Sequence, residues 1–201
     1  MRRIANFCRG RLIAGLALGA LIAPAHVNAT EPTGLAAARA RPPEDDVIYL
    51  IMPDRFANGD PANDRGGATG DRMQTGYDPA DKAFWHGGDL KGLTAKLDYI
   101  QGLGVTAIWL TPVFRNQVTQ GAGKTASAGY HGYWGLDFTN VDPHLGTKQD
   151  YKAFVDAAHA RGMKVYFDIV VNHTGDIIKY RECVATACTY RCPPSAPMAQ
   201  I

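Results

Sequence analysis

The stretch YFDIVVNHTGD, at residues 166–176, places a carboxylate, an amide and an imidazole near the end of an apolar run. Because side chains alternate across a β-strand, Asp168 and Asn172 are predicted to share one face. A buried carboxylate is costly unless it is paired or hydrogen-bonded, so an aspartate near a strand's end is a candidate active-site residue. The pattern equally allows Asp168 to be a structural residue that is hydrogen-bonded to neighbouring backbone.

A second group of polar oxygens lies in the segment PDRFANGDPANDRGG and in the turn at residues 87–89. The groups that could bind a cation there are Asn58, Asp60, Asn63, Asp64, the Gly87 carbonyl and Asp89. Ca²⁺ prefers about six to eight oxygen ligands on a flexible loop. The same residue types also build ordinary turns, and the spacing is not that of an EF-hand. Spacing alone therefore favours a turn over a metal site.

Three apolar runs are predicted to be the strands that position these groups: VIYLIM (47–52), VTAIWLTPVF (105–114) and MKVYFDIVVNH (163–173). The first run is uninterrupted, which is typical of a strand buried on both faces. Helical periods lie between the runs. This alternation predicts a parallel sheet with right-handed crossovers, either open and doubly wound or part of a (β/α) barrel. In both folds the chemistry lies at the carboxyl ends of the strands.

The two helical periods have recognisable ends. Between Asp89 and Gly104 apolar residues recur at helical spacing, and Gly104 stands where a left-handed cap belongs. Thr147, with Asp150 three residues later, is a capping signature for a second helix that ends before Gly162. The predicted inner face of that helix consists of Tyr151, Phe154, Val155 and Ala158.

The amino-terminal segment is typical of a secretory signal peptide. It contains an apolar run from Leu12 and small residues around Ala29, preceded by Arg2, Arg3, Arg9 and Arg11. The alternative, a membrane anchor, is disfavoured because the run is shorter than the roughly 18 residues that span a bilayer. Residues 1–29 are therefore predicted to be removed, which would make the protein secreted or periplasmic. Residues 30–46 are small, charged and proline-bearing, and they are predicted to be a linker.

Charge argues against a nucleic-acid partner, and no membrane partner is expected after cleavage. The chain has 21 Lys and Arg against 19 Asp and Glu, and loss of the signal's four arginines leaves a net charge of about −2. The mature chain would keep Cys183, Cys188 and Cys192, for which secretion predicts one disulfide and one unpaired thiol. A zinc site is disfavoured because no histidine lies near these cysteines.

Four stretches together resemble the α-amylase family of glycoside hydrolases, family 13: VIYLIMPDRFANGD, GVTAIWLTPVF, GYHGYWGLDF and DIVVNH. They occur in the family's order between about Val47 and Asp176. The loop after the first strand is most similar to the cyclomaltodextrinase, neopullulanase and cyclodextrin glucanotransferase branches. The resemblance implies an α/β fold in which residues 47–175 are the N-terminal part of a (β/α)8 TIM barrel, truncated after about three of its eight strands.

The resemblance also implies site residues. The predicted substrate-binding residues are His131, Tyr133, Asp168 and His173, with Tyr133 stacking under the sugar. Such a site is chemically reasonable because a pyranose presents an apolar C–H face to an aromatic ring and hydroxyls to imidazole donors. Trp134 and Phe138, in the same cluster, are interpreted as core. The resemblance also favours Ca²⁺ on the six groups of the oxygen-rich loop, with Asn172 a calcium ligand in many members.

The family's catalytic carboxylates are not among the predicted site residues. Retaining glycosidases need a nucleophile and an acid about 5 Å apart, and the family places them beyond its third strand, the nucleophile in a G-x-R-x-D stretch that this sequence lacks. The predicted function is that of a fragment of a secreted retaining hydrolase of α-1,4-glucans such as starch, maltooligosaccharides or cyclodextrins. The fragment by itself is predicted to be inactive.

Two alternatives stay open from the sequence. The chain could instead be a noncatalytic, amylase-like calcium- or sugar-binding protein, or an inactive truncated product. Residues 176–201 could be the start of an inserted small domain or an aberrant tail that ends in CPPSAPMAQI.

Overall fold

The computed structural model of the protein describes residues 33–177. The predicted signal peptide, the three cysteines of the mature chain and nearly all of the predicted tail lie outside that range. Within it, no helix is both long and apolar enough to cross a membrane.

The described part of the chain is an α/β structure. Its helices are α1 (Thr33–Ala40), α2 (Arg72–Thr75), α3 (Leu90–Ala95), α4 (Leu97–Gly102) and α5 (Lys148–Ala160). Its strands are β1 (Ile48–Ile51), β2 (Ala107–Leu110), β3 (Phe114–Asn116), β4 (Thr119–Gln120), β5 (Ser127–Ala128), β6 (Gly135–Val141) and β7 (Lys164–Phe167).

A parallel sheet of β1, β2 and β7 lies at the centre, with β2 between the other two. Ile48 pairs with Ala107, and Ala107 pairs with Lys164. Each crossover between these strands contains helices, as the alternating pattern predicts. The three strands form an open sheet rather than a closed barrel. Three parallel strands with helical crossovers are what the predicted fold class, a partial (β/α) barrel, requires, and that prediction is confirmed. The third strand ends at Phe167, and Asp168 therefore follows it.

Local sequence explains how the helices begin and end. Asp89 accepts a hydrogen bond from the Gly92 N–H and caps α3. Thr147 and Asp150 form the reciprocal capping box that was predicted for α5. The helix predicted between Asp89 and Gly104 is two helices, α3 and α4. They are separated at Lys96, where the backbone leaves the helical region.

The core lies between these helices and one face of the sheet. Apolar side chains from the helices and the strands meet there and are almost completely buried: Leu90, Leu93, Leu97, Ile100, Ile108, Leu110, Phe154, Ala158 and Met163. Of the predicted inner face of α5, Phe154 and Ala158 are buried, while Tyr151 and Val155 pack against the same cluster from half-buried positions.

The linker predicted at residues 30–46 needs correction. Its Thr33–Ala40 segment is helix α1, and Ala38 is buried. At Gly34 an added Cβ would lie 2.5 Å from the His159 carbonyl oxygen at the end of α5. This close packing gives the segment a fixed place on the fold, so regular structure begins before Val47.

The predicted burial of the first strand on both faces is also wrong. Ile48 and Leu50 are 50% and 55% exposed, and only Ile51 of β1 is buried. Since side chains alternate, Ile48 and Leu50 share the face that carries Trp109 on β2, which is 42% exposed. This open face is continuous with the end of the sheet where Asp168 lies.

Candidate functional site

Tyr133 connects the four residues that are predicted to bind sugar. Its hydroxyl donates to Asp168 Oδ2 at 2.9 Å. Its backbone N–H donates to His131 Nδ1 at 3.0 Å, and its carbonyl accepts from His173 Nε2 at 2.9 Å. The structure therefore brings His131, Tyr133, Asp168 and His173 together, although they come from two segments far apart in sequence.

A sharp turn before β6 holds Tyr133 in place. Gly132 has a φ of 87°, and a Cβ added there would lie 2.0 Å from the Pro112 carbonyl oxygen. Only glycine accepts both this left-handed backbone and this close approach. The turn therefore lies beside Pro112, just after the carboxyl end of β2.

The segment after β7 is fastened beside the same turn, and this fixes His173. Gly175 N–H donates to the Gly135 carbonyl at 2.8 Å, and Asp176 N–H donates to Gln117 Oε1 at 3.2 Å. A Cβ on Gly175 would lie 2.8 Å from the Trp134 carbonyl oxygen. Backbone contacts, rather than sugar, thus keep His173 next to Tyr133.

Burial controls protonation in this cluster. Burial raises the pKa of the Tyr133 hydroxyl, and the hydrogen bond to Asp168 raises it further. Burial lowers the pKa of His131. The His131 Nδ1 atom accepts a hydrogen bond, so in the neutral ring the proton is on Nε2. The site thus offers an imidazole donor beside an aromatic ring whose plane is within 18° of the imidazole plane.

Trp109 is a site residue that sequence reasoning missed. Its Nε1–H donates to Asp168 Oδ2 at 3.1 Å, the same oxygen that Tyr133 binds. Two donors on one oxygen orient the Asp168 carboxylate, which is half-buried rather than fully buried. The signal for Trp109 was available, because alternation along β2 places it on the face of Tyr166 and Asp168.

The two aromatic residues interpreted as core differ. Trp134 is half-buried and packs edge-on against His131, with ring centroids 4.7 Å apart. Phe138 is 37% exposed and contacts Phe114 edge-on. Phe138 is therefore not a core residue in the described structure.

Three groups of the predicted calcium loop, Asn58, Asp64 and Gly87, lie close together. Asn58 Nδ2 donates to Asp64 Oδ1 at 2.7 Å. Gly87, with a φ of 93°, has its α-carbon against both groups, since an added Cβ would lie 2.7 Å from Asp64 Oδ1. Asn63 Oδ1 is buried and has no hydrogen-bond partner in the part of the chain that the structure describes. A buried oxygen without a donor is a reason to expect a cation.

The two other carboxylates of that loop are engaged by protein groups. Asp60 forms an ion pair with Lys91 at 2.6 Å, and this contact lowers the pKa of Asp60. Asp89 is fully buried and accepts from the backbone N–H groups of Gly59, Asp60 and Gly92. Its carboxylate thereby joins the loop to the start of α3.

The remaining candidate, Asn172, lies beyond the end of β7 and is exposed. Between residues 33 and 177 no cluster of three or more His, Cys, Asp or Glu side chains is arranged to hold a metal. A cation on the loop would meet amide and carbonyl oxygens and Asp64, which is the hard-oxygen chemistry that Ca²⁺ accepts, while Asp60 and Asp89 would share their carboxylates with their present partners.

Asp54 holds the turn at Gly87 in place and was not predicted as a site residue. It is buried and accepts from the N–H groups of His86 and Gly87 at 2.8 and 3.0 Å. Burial raises the pKa of Asp54. Its neighbour Arg55 lies over the Tyr130 ring, 4.1 Å from the centroid, and so links the loop after β1 to the turn that carries Tyr133.

Comparison with known proteins tests the family resemblance. The Alpha-amylase family model, described as the α-amylase catalytic domain, matches residues 50–191. An α-amylase of Streptomyces lividans is 64% identical over 114 residues, which are 57% of this chain and 12% of that protein. The periplasmic α-amylase of Escherichia coli (strain K12) is 44% identical over 134 residues, 64% of this chain and 19% of that protein. The chain thus spans less than a fifth of these curated relatives.

Solved structures give the same result. The cyclomaltodextrin glucanotransferase CldA is 45% identical and superposes with a TM-score of 0.58 over 65% of this chain and 26% of that one. It represents one of the branches that the loop after β1 resembles. With most of the sequence matched by the family model, the resemblance seen in four short stretches is confirmed: the chain belongs to the α-amylase family of glycoside hydrolases.

Proposed function

We propose that this chain is the amino-terminal part of an enzyme that hydrolyses α-1,4-glucans, such as starch, maltooligosaccharides or cyclodextrins. The observation that carries the proposal is the cluster around Tyr133, in which an aromatic ring, two imidazoles and an oriented carboxylate meet at the end of a parallel sheet. Membership of the α-amylase family supports the same substrate class. The aromatic ring stacks on a pyranose, and the imidazole N–H of His131 donates to a sugar hydroxyl.

The reaction itself needs groups that this chain does not supply. In a retaining mechanism one carboxylate attacks the anomeric carbon and a carboxylic acid protonates the leaving oxygen, the two lying about 5 Å apart. Asp168 accepts hydrogen bonds from Tyr133 and Trp109, which suits it to orient the Tyr133 ring that would stack on the sugar rather than to act as the nucleophile. We place the nucleophile and the acid in sequence outside these 201 residues.

Calcium belongs to the proposal as a structural cofactor. The residues that would hold it are Asn58, Asp60, Asn63, Asp64, Gly87 and Asp89, and its charge would fasten the loop after β1 to the turn at Gly87. The buried Asn63 oxygen without a donor is the feature that supports it. The three carboxylates, Asp60, Asp64 and Asp89, are the charged ligands. Asp60 is paired with Lys91 and Asp89 accepts from three backbone N–H groups, so loss of Asp64 is expected to weaken binding most clearly.

Calorimetric titration with CaCl₂ tests the calcium site. We expect binding heat for the wild type and for Asp156→Ala, a control at an exposed position on α5, and clearly weaker binding for Asp64→Ala. Asp89→Ala is a poorer test because it also removes the cap of α3. Absence of heat in the wild type, or equal heats in Asp64→Ala and the control, would refute the assignment.

Export is the proposed localisation, either to the periplasm or to the medium. It is supported by the arginine-rich start and short apolar run, and by the periplasmic location in the name of the Escherichia coli relative. Mass spectrometry of the protein from an expressing bacterium should give Thr30 as the first residue. Recovery of exported protein that still begins at Met1 would contradict this.

The proposed activity is tested by reducing-sugar release from soluble starch. The longer protein that contains this chain should release sugar, and the product should keep the α configuration by NMR; the chain alone should be inactive because binding without the carboxylate pair does not lower the barrier. A longer protein that carries the family's carboxylates and is inert would overturn the proposal. Turnover by the chain alone that is lost in His173→Ala would do the same.

A further inference from the structure

A buried chain of polar groups lies behind the Tyr133 turn and takes no direct part in the proposed sugar contacts. Thr75, Asn116, Asp142 and His144 are each at most 4% exposed. His144 Nδ1 lies 2.8 Å from Asp142 Oδ1, and His144 Nε2 lies 2.7 Å from the Thr75 carbonyl oxygen. Such a fully buried polar chain is costly unless every member is satisfied, and these members satisfy one another.

Both ring nitrogens of His144 have a hydrogen-bond partner. A carbonyl oxygen can only accept, so Nε2 donates its proton to the Thr75 carbonyl. Nδ1 and Asp142 Oδ1 share one proton between them. Removing one partner of such a buried hydrogen bond leaves the other unsatisfied, which is costly.

The other end of this chain reaches the sugar site. Asn116 N–H donates to Asp142 Oδ2 at 2.8 Å. Asn116 Oδ1 accepts from the Trp134 N–H at 2.7 Å, and Gln117 N–H donates to the Trp134 carbonyl at 2.9 Å. The N–H and the carbonyl of Trp134 are thus both held by the segment that Asp142 orients. Trp134 directly follows Tyr133, so this segment also fixes the Tyr133 turn.

His144 is itself held from two sides. Its ring stacks on Trp85 with centroids 4.4 Å apart and planes within 4°. On another side is Gly66, where an added Cβ would lie 2.4 Å from the His144 ring, and Gly66 N–H donates to the Asn63 carbonyl of the calcium loop. The charged groups that line the same cleft of about 110 Å³ as His144 are Asp142, Arg65 and Arg115.

We propose that Asp142 and His144 are positioning residues for the sugar site: through Asn116 they fix the Tyr133–Trp134 turn before any sugar binds. This inference rests on the proposed function, since it assigns a task to residues behind the same site. Neither residue touches the sugar. They act by keeping the Tyr133 ring and its contacts with Asp168 and His173 in one arrangement, which reduces the ordering cost of binding.

Hydrogen exchange at the Trp134 N–H, together with maltoheptaose binding, tests the inference in wild type, His144→Gln and the control His159→Gln on α5. In His144→Gln we expect the Trp134 N–H to exchange at least about tenfold faster and maltoheptaose to bind at least about tenfold more weakly, because the buried hydrogen bond to Asp142 is lost and leaves the carboxyl unsatisfied. The Ile108 N–H, in the core of the sheet, should exchange as in the wild type. The control should match the wild type in all three measurements.

Each outcome decides between the two proposals. Unchanged Trp134 exchange in a folded His144→Gln variant overturns the positioning inference. A wild type that shows protected Trp134 but no maltoheptaose binding overturns the sugar site instead. If the Ile108 N–H also exchanges faster, the variant has lost its fold, and the unmutated protein then decides.

In the unmutated protein, nitrogen NMR of ¹⁵N-labelled histidine should find the Nε2 atom of His144 protonated, because its partner is a carbonyl oxygen. The Trp134 N–H should exchange slowly in the same sample, because Asn116 Oδ1 accepts from it. A Trp134 N–H that exchanges as fast as an unprotected amide, or a His144 ring whose Nε2 carries no proton, overturns the inference.

Discussion

At the scale of single residues, the hydroxyl, the backbone and the ring of Tyr133 have different contacts. The hydroxyl orients Asp168, the backbone groups hold His131 and His173, and the ring face is left for a ligand. Substitutions can therefore remove the hydroxyl or the ring while the backbone contacts stay in place. This makes Tyr133 the sharpest single position at which to test sugar binding.

We predict that Tyr133→Phe weakens maltoheptaose binding by about threefold and Tyr133→Ala by at least about tenfold. The phenylalanine variant keeps the stacking surface and loses one orienting hydrogen bond, whereas alanine loses the surface as well. Isothermal titration calorimetry measures both. Tyr99→Ala, at an exposed position on α4, is the control and should bind as the wild type; equal losses in all three variants would contradict the prediction.

The sequence predicted which residues lie together but only part of their hydrogen bonds. His131, Tyr133, Asp168 and His173 were predicted as a group because short stretches resemble a known family, and the structure places them side by side. The pairing of Trp109 with Asp168, and of His144 with Asp142, depends on which segments meet in space. Sequence spacing contains no distance between residues 109 and 168, so only strand alternation hinted at the first pair.

At the scale of secondary-structure elements, capping chemistry was predictable and helix α1 was not. Thr147 and Asp150 satisfy orphan N–H groups within their own turn, so the start of α5 is a local property. Helix α1 has only eight residues, and an isolated helix of that length is marginal in water. Helix α1 is stabilised where it packs on α5, and the sequence of α1 alone does not reveal this contact.

The contact between α1 and α5 gives a prediction on stability. Gly34→Ala should lower the free energy of unfolding by about 1–3 kcal/mol, because its Cβ would meet the His159 carbonyl oxygen at 2.5 Å. Gly102→Ala, in α4, is the matched control. No atom lies within 4 Å of its added Cβ, so it should raise stability by about 0.5–1 kcal/mol. Urea unfolding gives both values, and a shift of the same sign in the two variants would refute the contact.

At the scale of the whole molecule, Asp46 joins the parallel strands at their amino ends, away from the proposed sugar site at their carboxyl ends. Its carboxylate is buried and accepts from Thr106, Lys164 and Tyr166, at 3.2, 2.7 and 2.9 Å. Burial alone would raise the pKa of Asp46, but these hydrogen bonds outweigh it and the pKa is lowered overall. Residues of the segment predicted as a linker thus close one end of the sheet.

The lowered pKa of Asp46 predicts a pH-dependent contribution to stability. A carboxylate with a lower pKa in the folded state stabilises the fold above its unfolded value, near 3.8, and loses that effect as the pH falls through the folded value. We expect Asp46→Asn to lower the free energy of unfolding by roughly 2 kcal/mol at pH 7. The difference from wild type should shrink below about pH 4.

Urea unfolding at a series of pH values measures this difference. Asp156→Asn, at an exposed position on α5, is the control and should differ from wild type by less than about 0.5 kcal/mol at every pH. A difference between wild type and Asp46→Asn that stays constant from pH 7 to pH 3 would show that the carboxylate charge is not responsible.

The order of the sheet, β1 then β2 then β7, is also the order in which a ribosome makes the strands. Each new strand can join the edge left by the previous one, and none has to insert between two others. About 50 residues separate β2 from β7, so at roughly 5–20 residues per second β2 waits roughly 3–10 s for its second neighbour. Asp168 and His173 emerge after Tyr133, so the hydrogen bonds of Tyr133 are complete only when translation has passed these two residues.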